Sequence, residues 1–131
     1  AEGQLKRVVL VPAALVAESG LLLLKLQNDA EQTSLVEFAQ VVDDGEAEAL
    51  ALALHRQRWL VSDDRLAIRL ATRPNVAVRT IATPELLRTW AGTDEQRLLR
   101  LPEVVRRITI LAKFQPRADS NHYSWWQNHL Q

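Results

Sequence analysis

From residue 46 to residue 57 the sequence carries Ala or Leu at almost every other position and charge at few. A helix built on this stretch is apolar on nearly all its faces and has to be packed on several sides at once. Its flanks say what surrounds it. Asp43-Asp44-Gly45 ends the preceding helical pattern and opens this one. Trp59-Leu60-Val61-Ser62 follows as a compact strand, and Asp63-Asp64 directly after it opens another helix, with Leu66, Ala67, Leu70 and Ala71 inward.

The rest of the chain supplies further alternating pieces. Val8-Val9-Leu10-Val11 is a β-branched run ended by Pro12, a residue that suits a first helical turn because its missing N–H costs nothing there. Residues 13–19 then read as a helix closed by Gly20. Residues 21–26 form a leucine-rich second strand candidate, expected to be buried. Asn28 and Asp29 can cap a helix running to about residue 42, with Leu35, Val36, Phe38 and Ala39 at helical spacing. Pro74-Asn75 is a turn, residues 76–81 alternate as a strand with one covered face, and Thr83-Pro84-Glu85 has the cap, proline and acid of a helix start. Strands alternating with helices predict an α/β fold, a parallel sheet with helices on both faces.

After Gly92 the pattern changes. Thr93-Asp94-Glu95-Gln96 reads as a capping box, and a long amphipathic helix is expected to about residue 113, with Pro102 kinking or restarting it. Gln115-Pro116 breaks it, and Tyr123-Ser124-Trp125-Trp126 concentrates aromatic residues near the end of a chain with few elsewhere. The expected division is therefore 1–92 as the α/β domain and 93–131 as a C-terminal helical appendage.

Composition excludes several classes. The hydrophobic share of 47% and charged share of 24% suit a globular domain rather than a disordered chain. No apolar run approaches the roughly 20 residues of a membrane helix, so no membrane partner is expected. The sequence has no cysteine, which removes disulfides, thiolate–metal sites and thiol catalysis, and fits a cytoplasmic protein. Formal net charge is zero, so any nucleic-acid contact has to come from local patches. The candidate patch is Arg97, Arg100, Arg106 and Arg107, with a solvated helix face as the simpler reading. Trp125 and Trp126 are read either as base-stacking platforms or, more simply, as anchors for the tail. His55, His122 and His129 lack metal-ligand spacing.

In open parallel sheets, sites form at the carboxyl ends of the strands. Asp63 and Asp64 lie at such an end, while Glu46 and Glu48 open a helix, where the dipole favours acids. The plain reading of all four is helix N-terminal acids on a solvated surface. Their setting, however, carries a resemblance. Asp43-Asp44-Gly45-Glu46-Ala47-Glu48-Ala49-Leu50-Ala51-Leu52-Ala53 followed by Trp59-Leu60-Val61-Ser62-Asp63-Asp64-Arg65 resembles the PIN-domain family of nucleases. Val11-Pro12-Ala13-Ala14-Leu15-Val16-Ala17-Glu18 and residues 76–87 resemble flanking parts of the same family more loosely, so the likeness spans about residues 5–90.

The resemblance implies a three-layer α/β/α sandwich with a mostly parallel sheet, and cleavage of RNA phosphodiesters with Mg²⁺ or Mn²⁺. It implies Glu46, Asp64 and Glu18 as catalytic metal ligands, with Asp63 as a close competitor of Asp64. Glu48, two residues from Glu46, points to a different helix face. A toxin-like ribonuclease of this kind is held by an antitoxin-like protein, and a homo-oligomer is expected; the alternative is an inactive module that binds or assembles. The sequence departs from the family in one respect: nothing before Val8 resembles its first strand and first catalytic Asp. Three arrangements meet that departure: upstream residues, a strand from a second copy, or a re-paired sheet with a dead site.

Overall fold

A computed structural model describes residues 22–131. Among these residues the chain forms six helices and two short strands: α1 (Asp29–Phe38), α2 (Asp44–Arg56), β1 (Leu60–Val61), α3 (Arg65–Ala71), β2 (Thr80–Ile81), α4 (Thr83–Ala91), α5 (Glu95–Leu111) and α6 (Tyr123–Leu130). The expected strand at 8–11, the helix at 13–19 and Glu18 lie outside the described residues.

Each of the first three helices begins at a side-chain cap. The Asn28 carboxamide accepts from the Glu31 N–H, the Asp43 carboxylate from the Glu46 N–H, and the Asp64 carboxylate from the Leu66 N–H. Each satisfies a backbone donor that a first turn otherwise leaves unpaired. Gln57 ends α2 in the left-handed region (φ 53°), with its N–H on the Ala53 carbonyl. The apolar α2 is packed as its composition demands, against α1, α3 and β1. Ala47, Leu50, Ala51 and Ala53 are buried in one core with Phe38, Leu60, Ala67, Leu70, Val76 and Val78. Leu66, expected inward, is 48% exposed.

The three-layer sandwich is not what these residues form. The sheet among the described residues has two strands, β1 and β2, in parallel with Leu60 opposite Thr80 and Val61 opposite Ile81, and most of the described residues are helical. Local hydrogen bonding explains the shortfall at residues 22–26 and 76–79. At residues 76–79 the chain is still completing the turn after α3: the N–H groups of Val76 and Ala77 both donate to the Arg73 carbonyl, and Ala77 takes a positive φ of 50°. The Val78 N–H then donates to the Ala71 carbonyl, so the ladder starts only where the Leu60 N–H reaches the Arg79 carbonyl. Val76 and Val78 are buried as an alternating strand would bury them, without being strand. Residues 22–27 have no regular structure, and Leu22 and Leu23 are 83% and 74% exposed rather than buried. Their backbone serves α1 and α2 instead: the Lys25 carbonyl accepts from Arg56 Nη2 at 2.6 Å and the Gln27 N–H donates to Glu31 at 2.8 Å.

The C-terminal part packs in series, α4 on α5 and α5 on α6. Asp94, not Thr93, caps α5 by accepting from the Arg97 N–H, and the helix runs through Pro102 without ending. Trp126 is fully buried; its indole N–H donates to Thr109 Oγ1 at 3.0 Å, and Phe114 meets its ring edge-on at 5.4 Å. The tail is thus anchored on α5 through Trp126. Among the described residues no helix is long and apolar enough to cross a membrane.

Candidate functional site

Because β1 and β2 run parallel, both leave the sheet at one edge. Ser62, Asp63 and Asp64 follow β1 there, and Ala82 and Thr83 follow β2. The N-terminus of α2 faces the same edge: the buried Ser62 hydroxyl donates to Glu46 Oε1 at 3.2 Å and accepts from the Asp64 N–H at 3.1 Å. One hydroxyl therefore fixes the Glu46 carboxylate against the turn that carries Asp64.

Glu46 is part-buried, and this is the electrostatic centre of the edge. Burial pushes its carboxyl above the usual glutamate value; the Ser62 hydrogen bond opposes that shift, and the charges of Asp64, Asp43 and Asp63 reinforce it. Among the described residues no Lys, Arg or His forms an ion pair with any of these four acids. Three of the four also have structural work. Asp43 caps α2 and Asp64 caps α3. Asp63 accepts from both the N–H and the hydroxyl of Thr83, and so holds the first turn of α4.

The structure thus brings together Glu46, Asp64 and Asp63 of the expected acids; Glu18 lies outside the described residues. Glu48 is not among the groups whose charge acts on Glu46. Two participants carry no mark in the sequence as site residues. Asp43 reads as a helix breaker, and Ser62 as the last residue of a strand; the available signal for Ser62 is a hydroxyl placed directly before the two acids.

The donor set is all oxygen, which suits a hard cation, and Mg²⁺ needs only one or two carboxylates because it keeps several waters. Among the described residues no group of three or more His, Cys, Asp or Glu side chains is arranged to hold a metal. Of these acids, Glu46 and Asp64 could take a hydrated ion; an all-protein cage is not assembled among the described residues.

The candidate RNA face is partly used within the chain. The Arg97 and Arg100 guanidiniums lie over Trp90, at 5.6 and 5.9 Å from a ring centre, and Arg107 pairs with Glu103. Trp125 is covered by Arg88, 4.7 Å from its ring centre. His55 is exposed, and its Nε2 lies 2.7 Å from Ser34 Oγ.

Comparison with known proteins finds no matching family model, no matching curated protein and no matching solved structure.

Proposed function

We propose that this chain hydrolyses RNA phosphodiesters with the help of Mg²⁺ or Mn²⁺ at the Glu46–Asp64 edge. The observation that carries the reading is a part-buried Glu46, held by the Ser62 hydroxyl at 3.2 Å, whose ionisation is opposed first by burial and then by Asp64, Asp43 and Asp63, with no ion-pairing cation among the described residues. Such an arrangement is relieved by a divalent cation. The resemblance of residues 43–65 to PIN-domain nucleases supports the same chemistry, although the sheet that family implies is not formed by the described residues.

When bound, the ion lowers the pKa of a coordinated water and offsets charge developing on the phosphoryl group. The protein's own part is positional. Ser62 holds the Glu46 carboxylate in place through its hydroxyl, and the α3 cap fixes the Asp64 turn. Asp63 is the weaker ligand candidate because both its oxygens are engaged by Thr83. A toxin-like role with an antitoxin-like partner, and a cytoplasmic setting, belong to this reading as proposals.

The test is Mn²⁺-dependent cleavage of single-stranded RNA by the intact chain and by Glu46→Gln, beside thermal shifts with Mg²⁺ and Mn²⁺. The expected result is cleavage and a metal-induced rise in Tm that are both lost in the variant. Equal activity in both proteins, or none in either, overturns the assignment of the site.

A second reading, an assembly module without catalysis, is favoured by one specific observation. Leu99, Ile110 and Leu111 on α5 are 76%, 63% and 76% exposed. A concentration-dependent mass in light scattering, with no metal response, distinguishes it from the nuclease.

A further inference from the structure

Beside the acid edge, and separate from Glu46, a half-open cleft of about 300 Å³ lies between α3, the start of α4 and the segment joining α5 to α6. This is the lower end of the range for small-molecule sites. Its walls differ in character. One part is apolar, formed by Ile68, Pro84, Phe114 and Pro116. The other carries the guanidiniums of Arg65 and Arg117. Phe114, which forms part of the apolar wall, meets the buried Trp126 edge-on.

The cations are bridged from within. Asp119 lies 3.3 Å from Arg117 Nε and 3.9 Å from Arg65 Nη2, and all three side chains are more than half exposed. Ion pairs this exposed are weak and exchange readily with outside anions. A phosphate offers more oxygens than a carboxylate and matches the guanidinium fork in two-point fashion, so it competes well for both arginines. The other nearby acid, Asp63, is already occupied by Thr83. An anion placed between the arginines has an aromatic and proline-lined wall within the same cleft, suited to a flat ring.

We infer that this cleft binds a nucleoside monophosphate, with its phosphate displacing Asp119 from Arg65 and Arg117 and its base against Phe114. The inference does not depend on the metal-assisted reading of the acid edge, and it is tested with metal removed.

Isothermal titration calorimetry of the full chain in EDTA, with adenosine monophosphate, inorganic phosphate and adenosine as separate titrants, tests it. Adenosine monophosphate is expected to bind roughly tenfold more tightly than either fragment. Arg117→Gln is expected to weaken it by about tenfold, and Asp119→Asn, which removes the competing carboxylate, to tighten it severalfold. A gain of affinity cannot come from misfolding, so the second variant guards the first. No heat with the nucleotide at millimolar concentration, equal binding of inorganic phosphate, or an unchanged affinity in both variants overturns the inference. Loss of nucleotide binding with Mn²⁺-dependent cleavage intact rejects this cleft alone.

Discussion

The Glu46 carboxyl sits above its ordinary value of 4.5 because burial, then the charges of Asp64, Asp43 and Asp63, disfavour its ionised form. The consequence for stability follows from proton linkage. Between the ordinary value and the raised one, the folded chain holds more protons at this group than the unfolded chain does, so stability falls as pH rises through that window. The sign is opposite to that of a salt-bridged carboxylate. Glu46→Gln keeps an oxygen for the Ser62 hydroxyl and removes the charge. In EDTA its Tm is expected to lie close to that of the unaltered chain near pH 4 and above it near pH 7. A gap that is constant across this range, or that widens toward acid, means that burial and the aspartates do not raise the Glu46 carboxyl as described. Saturating Mg²⁺ is expected to reverse the order at neutral pH, because the ion binds the native carboxylate and not the amide.

At the scale of elements, helix starts and the short strand at 60–61 were legible, while the extent of the other strands was not, for a physical reason. A cap is a local bond: Asn28, Asp43 and Asp94 each accept from an N–H three residues on, and Asp64 from one two residues on, so the signal sits within a turn of sequence. A strand exists only where a partner meets it. Residues 22–27 and 76–79 have strand-like composition, yet their backbone groups are taken by Glu31, Arg56, Arg73 and Ala71 before a ladder can form. The cap at Thr83 failed for the same reason, since the carboxylate that serves it is Asp63, from the far side of α3 and β2. The clamp between α1 and α2 was equally hidden. Glu31, 2% exposed, receives Arg56 at 2.9 Å, and that bond is the leading cause of its lowered pKa. Arg56→Gln leaves a buried carboxylate with the Gln27 N–H as its remaining strong partner. At neutral pH the Tm is expected to fall well below that of Glu103→Gln, which breaks an exposed pair. A depressed carboxyl stabilises above its unfolded pKa and loses that contribution as pH falls through its folded one. The deficit of Arg56→Gln should therefore shrink on acidification; a deficit independent of pH assigns the loss to packing instead.

Among the described residues, the buried apolar side chains fall into two centres. One contains Phe38, Leu50, Leu60, Leu70 and Val78 and is gathered around α2. The other contains Ala91, Leu101, Val105 and Trp126 and lies along α4, α5 and α6. The β1–β2 ladder and the Asp63–Thr83 bonds join them, with Arg65–Asp119 as a weak exposed addition. Ladder and cap meet at the edge that carries Glu46 and Asp64, so the acid edge lies at the seam between the two centres. A chain built this way is expected to open by parts. Trp126→Ala removes the largest side chain of the second centre, its hydrogen bond to Thr109 and the support of Phe114. The cost is on the order of 3–5 kcal/mol. Hydrogen exchange is expected to show that cost in the amides of α5 and α6, while α2 retains its protection because its neighbours are α1, α3 and β1. Metal-dependent stabilisation should survive in the variant, since Glu46, Ser62 and Asp64 are held from the first centre, whereas the cleft should lose the contact that supports Phe114. Equal loss of protection in α2 and α6 shows instead that the seam couples the two centres into one cooperative unit, and the acid edge then depends on Trp126 as much as on Leu50.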